Sequence, residues 1–123
     1  MTLLAHGAFA AGLTSLFVVT AGGNPNYGIV AGAVLGTAPD LWDWIAWKVF
    51  SVPRWTVYLW FHHECPVWLL IVLFPMGIHI SMDRIVHRIP GLNWWPAYWY
   101  LEILLWVTGI SMIAFSYLIW AVT

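Results

Sequence analysis

The ionisable residues of this chain are few, and most of them fall inside apolar stretches: His6, Asp40, Asp43, the run His62-His63-Glu64, and the series His79, Asp83, His87, with Glu102 apart in the last stretch. Imidazole and carboxylate together are the ligand set of zinc and of several other divalent metals. At hydrocarbon depth each such group costs at least a few kcal/mol, so each must face protein, water or a ligand. His79, Asp83 and His87 recur every four residues and share one helix face, near enough to hydrogen-bond or to bind one ion. Gly28, Gly32, Gly36, Asp40 and Asp43 fall in a sector roughly 120° wide at about 100° per residue, so both carboxylates continue a glycine packing ridge and point toward the first span. Pro39 removes a backbone donor beside them and frees the carbonyl near Leu35. The acids Asp40, Asp43, Glu64 and Asp83 face only Lys48, Arg54, Arg84 and Arg88, which lie near span ends, so a bound cation, protonated histidines or protonated acids must balance them.

Plainer roles compete with metal ligation at several of these positions. His6 sits near an end of its span and suits an interfacial polar group. His62 and His63 point about 100° apart on a helix, so at most one is a ligand. His87 and Arg88 suit a wet helix end beside Pro90, and Glu102 suits a hydrogen-bonding anchor between helices.

The elements that must position these groups are membrane helices. Of 123 residues 63% are hydrophobic and 7% charged, and the mean hydropathy is +0.84, outside the range of a soluble domain. About 20 apolar residues cross a bilayer, so four spans nearly exhaust the chain. The expected fold is an all-α integral membrane protein: a single transmembrane helical domain over residues 1–123, a compact bundle of about four helices. A first span, roughly Leu3 to Thr20, lacks the positive flank of a secretory signal and is expected to be retained. It stops at Gly22-Gly23-Asn24-Pro25-Asn26, and a second runs roughly Tyr27 to Phe50, antiparallel to the first, whose Ala8, Ala11, Gly12 and Ser15 match the glycine ridge.

Pro53 ends the second span, and Arg54 to Glu64 is either interfacial or the start of the third. Pro75-Met76-Gly77 predicts a break or re-entrant turn, because in one straight helix His63 and His79 would stand roughly 24 Å apart, too far for one site. Pro90 to Pro96 reads as an interfacial loop with a tryptophan pair, and the last span runs roughly Ala97 to Val122. The 11 tryptophans are expected to form belts at the membrane surfaces. A net charge of −1 without a basic run implies no nucleic acid, and the single Cys65 allows no internal disulfide.

In order and spacing, His6, the Pro39-Asp40-Leu41-Trp42-Asp43 stretch, the His62-His63 stretch and the His79-to-Asp83 helix resemble the small membrane-bound metal-dependent hydrolase family. These are bacterial and archaeal cytoplasmic-membrane proteins distantly like zinc-dependent phospholipase C. The family's His-Arg-x-x-Thr-His-Ser type motif corresponds here to Tyr58-Leu59-Trp60-Phe61-His62-His63-Glu64, which lacks the upstream His and the Thr and Ser. The resemblance implies a divalent metal, zinc by preference, held by His6, Asp40, Asp43, His63, His79 and Asp83. It implies hydrolysis of a phosphoester or ester, with Asp43 or Glu64 as the catalytic proton acceptor, and a lipid or lipid-linked substrate in the bilayer. Two other classes stay open. One is a non-enzymatic accessory subunit that binds partner membrane subunits, and the other is a haem or chlorophyll carrier ligated by His63 with His79 or His6.

Overall fold

The computed structural model describes residues 3–88 and 95–123, and among them every regular element is helical. Six α-helices, α1 (Leu3–Thr20), α2 (Pro25–Phe50), α3 (Thr56–Leu59), α4 (Val67–Val72), α5 (Phe74–Arg88) and α6 (Trp95–Val122), are joined by one π-helical turn, Trp60–Glu64, between α3 and α4. The Pro90-to-Pro96 loop expected from sequence falls largely outside the described residues, as do the side chains of His62 and His87.

The α1–α2 hairpin is set locally. Gly22 takes φ +83°, a left-handed conformation that costs glycine little, and the Asn24 side chain caps α2 by accepting from the Asn26 backbone N–H at 2.9 Å. Pro25 then occupies the first helical turn, where its missing donor is not needed. The two helices meet along the small-residue ridge. A Cβ added at Gly28 would lie 2.5 Å from the Ser15 Cα, and one at Gly32 2.5 Å from the Ala10 carbonyl oxygen and the Ala11 Cα. Only glycine permits that approach.

α1 is the centre of the molecule, because α6 closes on its other face. Gly12 and Gly109 face each other there, again with no room for a Cβ, and the buried Ser15 and Ser116 hydroxyls stand 2.8 Å apart, one donating to the other. At the far end the Tyr117 hydroxyl donates to the Asn26 side-chain oxygen. α5 lies across α2 and α1, with Ile80 and Met76 buried against Ala38.

The helix break is real but displaced from its expected position. Leu73, with φ −97° and ψ 58°, separates α4 from α5, while Pro75 and Gly77 lie inside the first turn of α5. Proline is tolerated in a first turn because its missing N–H would have had no partner, so it starts this helix and does not interrupt it. Among the described residues one helix is long and apolar enough to cross a membrane, Trp99–Val122 within α6, and Leu4–Thr20 is a shorter apolar helix. α2 has 26 residues but carries Asp40, Asp43 and Lys48, and α4 and α5 are short, with 6 and 15 residues.

Candidate metal centre

Three helices bring the polar groups together. His6 comes from α1, Asp40 from α2 and His79 from α5, and one ligand atom from each lies within 4.8 Å of the others. Both histidines are buried, at 2% and 0% exposure, and Asp40 is partly exposed, its side chain at 27%. The two imidazole rings pack with centroids 4.0 Å apart.

His79 is oriented by α2. Its Nδ1 lies 2.6 Å from the Gly36 carbonyl oxygen, which can only accept, so Nδ1 carries the proton and Nε2 presents a lone pair. The sequence anticipated a carbonyl opened by Pro39 at Leu35, and the one that is used lies a residue further on. A Cβ at Gly36 would overlap the Ala10 Cβ, so glycine is needed there for the contact with α1.

The lone pair of His79 Nε2 faces oxygens at 3.7 Å (Asp40 Oδ1) and 3.5 Å (Asp83 Oδ2), and His6 Nδ1 is 3.7 Å from Asp40 Oδ2. These separations are too long for hydrogen bonds. They are close to the roughly 3.4 Å edge of a tetrahedron whose corners lie 2.1 Å from its centre, the spacing of ligands around zinc. His6 Nε2 stands 2.9 Å from Asp83 Oδ1, within ion-pair distance, and Nδ1 is the nitrogen turned toward Asp40. Neither buried ring nitrogen of His6 completes a hydrogen bond of acceptable geometry. Buried nitrogens that converge without bonding one another are what a cation site requires, so the donor set fits a divalent ion.

Asp83, 6% exposed, braces the group. Its Oδ2 accepts from the Tyr58 hydroxyl at 3.1 Å, and burial, reinforced by Asp83 and then Asp40, pushes that phenol above its ordinary pKa and keeps it a donor. Tyr58 carried no signal in the sequence, since a lone tyrosine in an aromatic-rich stretch reads as packing.

Asp43 differs from expectation. It is buried, yet it does not face α1. Its oxygens accept from the backbone N–H groups of Trp55 at 3.2 Å and Tyr58 at 3.1 Å. A step of three residues from Asp40 turns about 300°, leaving Asp43 some 60° off the Asp40 direction and aimed at the returning segment. It caps α3, whose own N-cap, Trp55, supplies no side-chain bond and sits at φ 72°. With both oxygens engaged by peptide donors, Asp43 positions Tyr58 and is poorly placed to take a proton or a metal. His63 and Glu64 are exposed on the π-helical turn and are not among the groups that line the site, so neither the expected ligand nor the expected base is brought to it.

A cavity of about 360 Å³ adjoins the cluster, lined by His6, Asp40, Asp43 and Asp83 together with Trp44, Trp47, Arg54, Trp55 and Tyr58. No family model matches the chain, and neither does any curated protein or solved structure.

Proposed function

We propose that the chain is a membrane-embedded, metal-dependent hydrolase that holds a divalent cation, zinc by preference, between His6 Nδ1, Asp40 and His79 Nε2. The observation that carries this reading is the donor count: three converging protein ligands from three helices, beside an accessible cavity. Structural zinc sites are closed by four protein ligands, whereas catalytic ones use three and leave a position for water or substrate. A cation in such a site lowers the pKa of water and polarises a phosphoryl or carbonyl oxygen.

The chain's own residues supply the rest. The Gly36 carbonyl fixes the tautomer of His79, Asp83 stands 2.9 Å from His6 Nε2, and Tyr58 holds Asp83 in place. Asp40, the most exposed carboxylate of the group, has one oxygen toward each histidine and borders the cavity, so it is the acid best placed to receive a proton there. Asp43 and Glu64 do not take that role in this reading.

Placement in a bilayer rests on α6, on the apolar α1 and on composition, with α2 spanning beside α1 so that its acids face protein. The bundle then crosses the membrane with the cavity near one face, where exposed Trp44, Trp55 and Trp60 suit headgroup depth. A bacterial or archaeal cytoplasmic membrane and a lipid-linked substrate follow from the family resemblance. The test is hydrolysis of a chromogenic phosphodiester by detergent-purified protein. Activity that is lost on chelation, restored by zinc and absent in Asp40→Asn supports the reading, and zinc-independent or absent turnover with every ester class rejects it.

A further inference from the structure

One cation lines the cavity, and it is paired with none of the acids that share it. Arg54 borders the same space as Asp40, Asp43 and Asp83, yet among the described residues it makes no ion pair. Its guanidinium instead lies over two indoles, 4.7 Å from the Trp55 ring centre and 5.2 Å from that of Trp47. Stacking of this kind holds the planar group while leaving its edge donors available, the arrangement suited to a bidentate oxyanion contact.

The backbone around Arg54 is held at a cost. Trp55, not a glycine, takes a positive φ of 72°, while Ser51 at 55° is the left-handed cap that closes α2. For a bulky residue such a conformation is unfavourable and persists only where the surroundings impose it. Here the imposing group is Asp43, which accepts the Trp55 N–H from within α2. An arginine serving only to reach headgroups would need no such constraint, because a flexible side chain reaches water unaided.

We infer that Arg54 is the anchor for the oxyanion of the substrate, so that the molecule entering this cavity is a phosphodiester monoanion and not a neutral ester. This rests on the hydrolase reading above. One arginine matches one negative charge, and a dianionic phosphomonoester would bring a second charge toward three carboxylates. Arg54 is therefore a binding residue that selects for charge, and it shares the lining of one cavity with His6 and Asp40.

The experiment measures binding separately from turnover. Zinc-loaded protein in nanodiscs is titrated with soluble glycerophosphoglycerol, and in a second arm phosphatidylglycerol is incorporated in otherwise zwitterionic nanodiscs, with phosphorus NMR as the readout. Arg54→Gln is expected to weaken phosphodiester binding about 10- to 100-fold while zinc content stays unchanged, and Arg54→Lys to fall between. Turnover, where measured, is expected to show raised KM with kcat within about threefold, and a neutral p-nitrophenyl ester is expected to respond equally to both proteins. Response in the soluble arm identifies a free phosphodiester, and response confined to the lipid arm a headgroup. Equal phosphodiester affinity in wild type and Arg54→Gln overturns the inference even if the protein binds zinc. Absence of zinc with Arg54-dependent binding intact overturns the metal reading and leaves the anion site standing.

Discussion

Replacing Gly32 by alanine tests whether the packing of α1 on α2 builds the metal site. The new Cβ would arrive 2.5 Å from the Ala10 carbonyl oxygen and the Ala11 Cα, both backbone atoms that no rotamer change can move. Ordinary contact needs about 3.5 Å, so the two helices must part by about 1 Å where they touch. Overpacking of this size costs roughly 1–3 kcal/mol. Because helices move as rods, the displacement is felt one turn from Ala10 at His6 and two turns from Gly32 at Asp40. The His6 Nδ1 to Asp40 Oδ2 separation of 3.7 Å would open to about 4.7 Å. Two bonds of about 2.1 Å span at most about 4.2 Å, so one ion could no longer bind both. Zinc affinity, measured by competition with a chromophoric chelator, is expected to fall about 100-fold or more. Gly109→Ala provides the control, since it parts α1 from α6 and leaves the α1–α2 contact alone. It is expected to lower thermal stability to a similar degree with zinc affinity within about threefold. Unchanged zinc affinity in Gly32→Ala, or equal losses in both variants, would refute the link between ridge and site.

Tyr58→Phe removes the hydroxyl that holds Asp83 and is expected to weaken zinc binding about 10-fold without unfolding the protein, again by chelator competition. His63→Ala and Glu64→Ala, both on the exposed turn, are expected to leave zinc affinity and phosphodiester turnover within about twofold of wild type, and a large loss in either would restore the ligand set implied by the family resemblance. Acidification is expected to release zinc, because protons compete with the metal for its histidine and carboxylate ligands, and a metal content independent of pH would argue against histidine ligation.

The helices and their facing ridges were legible because they depend on local rules. Gly22 to Asn26 is a turn under any packing, and Gly28, Gly32 and Gly36 at four-residue spacing require a close neighbour. His6, Asp40, His79 and Asp83 were legible as costly groups inside apolar segments. Whatever depends on how segments return was not. The break lies at Leu73 because Pro75 can begin a helix as readily as it can end one. Asp43 and Asp40 share a sector in a helical projection, yet only the path of Trp55 to Tyr58 decides that Asp43 binds peptide N–H groups. Tyr58 and Arg54 acquire their roles from contacts across the fold, and neither residue type nor spacing announces them.

The most direct test of the metal centre is elemental analysis of protein purified from membranes without added metal, alongside His6→Ala, Asp40→Asn and His79→Ala. The expected result is about one zinc or other divalent ion per chain in the wild type, reduced below a tenth of that in each variant, with the variants still eluting as folded protein. A wild type without stoichiometric metal after zinc reconstitution, or variants that keep it, would contradict a site built from these three residues.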